Sequence, residues 1–280
     1  MITKGSQDYK DLQKAVDLLE SPSLTAQISN LIGTPVEGAI KMLPKMMKRP
    51  LDLAVKAAFN KAVEGALLTI KNEPGTEAST GFNKLLAATS GGIGGAFGLP
   101  GLLVDLPVST TIMMRAVVDI ARSENFDLDD FETKRACIEV FSMGGGSSTD
   151  DAAETGYYMT RSFLNSFTGA VGKSLADIAV KSGKKAGTRA LSKAAEKQAS
   201  TMLAKLIEKV AARFGIVISQ KFAAQAVPII GAVSGAAINT LFTDFYQDMA
   251  RGHFTVLRLE EKYGKDVVQA QYEKIAGIKK

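Results

Sequence analysis

Two stretches of this chain carry almost no charge, and they limit what it can fold into. Residues 85–114 hold a single ionisable group, Asp105, and residues 222–243 hold none. Each is long enough to cross a bilayer as a straight helix. The first, however, packs Gly91, Gly92, Gly94, Gly95, Gly98 and Gly101 close together and adds Pro100 and Pro107. An interior Gly costs a helix about 1 kcal/mol and an interior Pro about 3 kcal/mol, so a straight rod is disfavoured. The pattern predicts a helix–turn–helix hairpin with its tip at 99–107 and arms about 18 Å long, too short for a full crossing. The second stretch carries Gly231 and Gly235, a spacing that lets helix backbones approach closely. Gln225, Asn239 and Thr240 need partners there if they are buried.

The rest of the chain repeats at helical spacing. After Pro50, apolar residues fall at Leu51, Val55, Phe59, Val63, Leu67 and Ile70, a stripe stopped by Glu73-Pro74-Gly75. Residues 8–20 form a shorter pattern with Leu12, Val16 and Leu19 on one face. Asp129 with Glu132, and Asp151 with Glu154, read as capping boxes opening helices 131–143 and 152–167. A basic helix follows at 188–214, and Gly264 marks a helix end ahead of a last helix at 266–276. The β-like run 216–218 is too short to anchor a sheet. These features predict an all-α fold, a single multi-helix bundle with a central Gly/Pro-rich apolar hairpin. They place one domain over 1–280, its core at about 30–272, with a flexible basic linker at 181–188.

Composition narrows the chemistry. One His and one Cys exclude metal sites built from several imidazoles or thiolates, and no metal is expected. The single Cys137 excludes an internal disulfide framework and fits a reducing compartment. The polar first residues lack a secretory or transit pattern, so a cytoplasmic location is expected. Charge is uneven: residues 171–221 hold 11 basic and 3 acidic groups, while residues 1–170 hold 16 basic and 20 acidic. Lys184, Lys185, Arg189, Lys193 and Lys197 are the candidates for contact with an anionic lipid surface. The basic segment has no aromatic residue before Phe214 on which bases could stack, so nucleic acid is not expected as a partner.

Five side chains form the candidate polar cluster: Asp105, Arg115, Tyr158, Arg161 and His253. Asp105 reads either as a buried acid with a guanidinium partner or as the cap of a helix starting at Leu106. Asp119 is spaced to bridge Arg115 and Arg122 on one helix face. Tyr157, Tyr158 and Arg161 share a face with Glu154, suited to an interhelical network. His253 has no nucleophile pattern beside it, and Cys137 reads as a small buried side chain. The glycine runs at 91–95 and 144–146 lack the Gly-Lys-Ser/Thr ending of a phosphate loop, so no nucleotide or other cofactor is implied.

Several separated blocks, in order, carry a resemblance. They are Phe97-Gly98-Leu99-Pro100-Gly101 through Asp105-Leu106-Pro107 to Arg115, then Phe141-x₂-Gly144-Gly145 with Asp150-Asp151 through Tyr158 and Arg161. The last group runs from Arg213-Phe214-Gly215 through Ala223–Pro228 and Ile238-Asn239 to Ala250-Arg251-Gly252-His253-Phe254 and Tyr263-Gly264. Over about 30–272 the chain resembles the bacterial EcsC protein family. The resemblance transfers no catalytic residue. It implies a membrane-linked role, since the family is named for a gene beside an ABC transporter. The expected function is that of a non-enzymatic helical protein held peripherally at the inner membrane by the hairpin and the basic helix. It would serve as an accessory to a transport or envelope system, with a membrane transport protein as partner. The alternatives are a soluble hydrolase-like enzyme built on Asp105, Arg161 and His253, and a membrane-inserting effector.

Overall fold

The computed structural model describes residues 2–32, 45–96, 98–143, 156–165, 188–225 and 232–278. The described residues are helical with no strand among them. The helices are α1 (Gln7–Leu19), α2 (Leu24–Ile32), α3 (Lys45–Thr69), α4 (Thr80–Ala96), α5 (Gly98–Ser123) and α6 (Phe131–Glu139). A single 3₁₀ turn (Val140–Ser142) extends α6. Then come α7 (157–165), α8 (Thr188–Gln225), α9 (Ala232–Tyr263) and α10 (Lys265–Ile275). None of the described helices is long and apolar enough to cross a membrane.

The predicted hairpin exists as α4 and α5, but its turn sits earlier than 99–107. Helix α4 continues through the glycine run to Ala96, and α5 resumes at Gly98. Pro100 then falls in the first turn of α5, where a missing N–H leaves no bond unmade. Pro107 lies inside α5, so packing against α3, α4 and α9 outweighs its intrinsic cost. Asp105 is therefore not a cap. It sits mid-helix, its side chain turned into the bundle.

Helix α9 is the spine. It packs against α4 most extensively, and also against α1, α5 and α10. Helix α3 lies between α5 and α8, and its stripe buries as predicted: Leu51, Val55, Phe59, Ala62, Val63, Ala66 and Ile70 are all in the core. It begins at Lys45, ahead of Pro50. Where α3, the 3₁₀ turn, α8 and α9 meet, Phe59, Phe141, Phe214 and Tyr246 pack ring to ring, with centroids 4.6–5.9 Å apart. Such pairs add about 0.5–1.5 kcal/mol each beyond their buried area.

Capping follows local chemistry with one shift of register. Asp130, not Asp129, caps α6 by accepting from Thr133 N at 3.1 Å. Asp129 instead accepts from Asn72 at 2.8 Å, and Asn72 also bonds Asp127 and the Leu128 amide. The connection at 72–80 is thus fastened to the turn after α5. Asp119 pairs with Arg122 at 2.6 Å and accepts from Ser79 N at 2.7 Å, tying the start of α4 to α5. Of the predicted basic linker at 181–188, Thr188 opens α8 and the rest lies outside the described residues, as does the box at Asp151 and Glu154.

The N-terminal helix is held along α9. Asp8 accepts from Lys262 and Tyr263, Asp11 from Arg258, and Glu20 from Tyr272. The seam is closest at Gly252, where a Cβ would stand 2.6 Å from Leu19 Cγ and 3.1 Å from the Ala15 carbonyl oxygen. Gly252→Ala is expected to destabilise the protein by about 1–3 kcal/mol through overpacking. Gly215→Ala, whose Cβ would meet Val55 at an ordinary 3.8 Å, should gain roughly 0.5–1 kcal/mol from helix propensity. Urea unfolding of the two variants checks this contrast, and equal shifts would refute the tight seam.

Candidate functional site

The described structure contains two buried polar networks, and the predicted cluster is divided between them. The first centres on Asp105 of α5. Its carboxylate meets Lys221 Nζ of α8 at 3.2 Å, with both side chains only 2% exposed. Asn239 Nδ2 of α9 donates at 3.2 Å, and Ser90 of α4 donates to the other oxygen. Lys221 also donates to Ser109 Oγ at 3.1 Å and lies over the Phe242 ring. Four helices thus each contribute a group to one point.

The electrostatics follow from this shell. Burial alone would raise the Asp105 pKa, but the Lys221 charge and the Ser90 and Asn239 hydrogen bonds outweigh it and hold the carboxyl below its ordinary range. Burial pulls Lys221 down, opposed by Asp105. Lys221 is the last of the eleven basic residues of segment 171–221. The structure turns it inward, so the two charges compensate each other inside the bundle.

The second network joins α7, α9 and α10. Arg161 grips Glu260 with two nitrogens, at 2.7 and 2.8 Å, and its guanidinium sits over the rings of Tyr157 and Tyr158. Tyr158 donates to Glu260 at 2.9 Å, and burial followed by that carboxylate's charge raises its phenol pKa. Tyr157 stacks on Tyr272, and its hydroxyl accepts from Arg161 at 3.3 Å. The same hydroxyl bonds His253 Nδ1 at 2.9 Å, with donor and acceptor set by the imidazole tautomer, and Nε2 has no hydrogen-bond partner among the described residues.

His253 is fully buried, and burial together with the nearby Arg161 and Arg135 charges holds its pKa well below the usual value. A histidine depressed in the folded state takes up its proton only on unfolding or far into acid. As His253 is the chain's one histidine, its Hε1 proton gives one unambiguous histidine NMR signal. That signal is expected not to titrate between pH 8 and pH 5.5. A midpoint near 6.5 would mean that the ring is exposed to water.

The five predicted residues do not converge. Asn239, which binds Asp105, and His253 both lie on α9, fourteen residues or about 21 Å apart along the axis. Arg115 is half-buried on α5, ten residues or about 15 Å from Asp105. Tyr158, Arg161 and His253 do share a network. Glu260, its central acceptor, was not singled out from the sequence, although it stands seven residues beyond His253 on the same helix face. Of the lipid-contact candidates, Arg189, Lys193 and Lys197 fall on α8, while Lys184 and Lys185 lie outside the described residues. Cys137 is buried, its thiol pushed up to about 12 by burial. Among the described residues, no group of His, Cys, Asp and Glu is placed to hold a metal ion.

Removing one partner of a buried ion pair leaves an uncompensated charge. Lys221→Met is therefore expected to cost about 3–5 kcal/mol in chemical denaturation, and adding Asp105→Asn should recover part of the loss. Strictly additive losses would show that the pair is not coupled.

No curated protein and no solved structure matches this chain. The family model of the EcsC protein family matches residues 6–259. That range starts earlier than the motif blocks and takes in α1, whose acids bind α9, and it ends within α9 short of Glu260. With nearly the whole chain covered, the protein belongs to the EcsC protein family.

Proposed function

We propose that the protein attaches peripherally to an anionic membrane surface through the outer face of the α4–α5 hairpin. It does so without catalysing a reaction, from the cytoplasmic side of the inner membrane, as an accessory to a transport or envelope system. The observation that carries this reading is an apolar stripe facing solvent: Phe82 is 55% exposed, Leu85 64%, Val104 75% and Val108 51%. Ser90 and Asp105 face each other across the hairpin. Measured from that facing pair, the exposed positions turn about 80–140° on α4 and about 60–100° on α5, in the same sense. Because the helices run antiparallel, both rows fall on one side and form a continuous stripe. It holds no charge among its exposed residues, since Asp105 points into the bundle. An apolar, charge-free patch of this kind marks a contact site with membrane or protein.

The basic segment supplies a second contact at another place. Lys205 lies sixteen residues before Lys221 on α8, about 24 Å along the axis, and Lys197, Lys193 and Arg189 lie further still. These cations thus stand more than a Debye length of about 10 Å from the Lys221–Asp105 contact, and we read them as a patch distinct from the hairpin stripe. Reversible anchoring commonly combines two such signals. The hydrolase-like alternative draws less support, because Asp105 and His253 have no common site in which to act.

Sedimentation with phosphatidylglycerol-containing vesicles tests the reading. The protein is expected to pellet with them, and Val104→Asp with Val108→Asp should cut the bound fraction at least tenfold while the thermal midpoint stays within a few degrees. Wild-type protein left in the supernatant at low salt would overturn it.

A further inference from the structure

Helix α4 is built inside out. Between Thr80 and Ser90 its apolar side chains Phe82 and Leu85 face solvent, while the polar Asn83 is 1% exposed. Ala87 is the one apolar side chain buried in that span, and among the described residues α4 contributes nothing to the continuous hydrophobic core. Helix α3, by contrast, sends Leu51, Val55, Phe59 and Val63 into that core.

What holds α4 in place is polar. Gln247 of α9 donates to the Thr80 carbonyl oxygen at 3.3 Å, Lys84 meets Asp244 at 2.8 Å, and Asn83 reaches Asp119 at 3.5 Å. Ser90 donates to Asp105. Both side chains of the Lys84–Asp244 pair are exposed, and a surface ion pair contributes little. The α9 face beneath α4 carries Asn239, Thr243 and Gln247, at i, i+4 and i+8. All three are buried, and each keeps an oxygen without a hydrogen-bond partner among the described residues. Asn83 Oδ1 is in the same state across the seam. Burying such atoms opposes closure, since water satisfies them when the seam is open. Gly91, Gly92, Gly94 and Gly95 weaken the helix further.

Helix α4 is also dispensable to the charges it covers. When it lifts away, Asp105 loses Ser90 but keeps Lys221 and Asn239, which belong to α8 and α9. Removing α4 strands no buried charge, whereas removing α5 separates the ion pair. Local opening falls on segments with few buried apolar contacts. We propose that α4 is a lid: under native conditions it leaves the bundle as a unit and returns, admitting water to the Asn239–Gln247 row and to the Asp105–Lys221 pair. The motion needs no lipid, so it stands or falls apart from the membrane reading.

Hydrogen exchange on the full chain, without vesicles, tests it. Amides at 84–90 are expected to exchange at least a hundredfold faster than those at 112–121 of α5 and 246–256 of α9. Their rates should hardly change with urea below the unfolding transition, because a local opening exposes little surface. Comparable protection in all three segments, or a urea dependence at 84–90 as steep as that of α5, would overturn the lid. A thiol readout is independent. In Ala87→Cys the new thiol should react with dithiobisnitrobenzoate at least a hundredfold faster than the buried Cys137 of the same chain, and equal reactivity would also overturn the proposal. Should Ala87→Cys fail to fold by circular dichroism, the exchange pattern of the wild-type chain decides alone.

Discussion

A carboxylate inside an apolar hairpin needs its counter-charge delivered from elsewhere in the chain, and Lys221 supplies it to Asp105. The pair is inaccessible to water, so its two desolvation costs are offset only if the partners sit in a complete hydrogen-bonded shell. Ser90, Ser109 and Asn239 provide that shell from the hairpin itself and from α9. Hydrophobic contacts alone would let α4, α5, α8 and α9 slide past one another by a turn at little cost. A charge pair with these three companions permits one register, because any slip strands a buried charge. The aromatic packing of Phe59, Phe141, Phe214 and Tyr246 is consistent with that register, being built partly from the same α8 and α9.

Helix α9 transmits the constraint. It touches the Asp105 shell near its start, the aromatic packing at Tyr246, α1 at Gly252 and the Arg161 network from His253 onwards. The Arg161–Glu260 pair works at the other end as Lys221–Asp105 does near the beginning, a bidentate ion pair roofed by tyrosine rings. His253 is tied to it on one ring nitrogen only. Each end of α9 keeps one polar atom without a hydrogen-bond partner among the described residues, Asn239 Oδ1 near the start and His253 Nε2 here.

Much of the architecture was legible because helices announce themselves locally. The stripe from Leu51 to Ile70, the face of α1 and the stop at Gly264 all came from spacing and turn chemistry. The interhelical network of Tyr158 and Arg161 was legible as a polar helix face, but its acceptor and the partners of the hairpin, distant in sequence, were not. Pro107 and the glycines looked like a turn, yet burial carried the helices through them. Asp105 looked like a cap because a cap is the local use of an acid before Leu106-Pro107, and nothing near it reveals Lys221, 116 residues on. Lys221 was hidden in turn by ten other cations in its segment.

The same buried pair decides how deeply the hairpin can engage a membrane. A full insertion would draw α4 and α5 out of the bundle and take Asp105 away from Lys221 and Asn239. The carboxylate would then have to enter lipid unpaired or take up a proton, although its native shell holds it ionised. Lys221 would be left charged in an emptied core. Both costs rise only when the hairpin separates from α8 and α9, and neither is incurred when the outer stripe alone touches the interface. Under the membrane attachment proposed above, the buried pair would therefore favour shallow, reversible contact through Leu85, Val104 and Val108 over the insertion expected of an effector, by means of a charge that never meets the lipid.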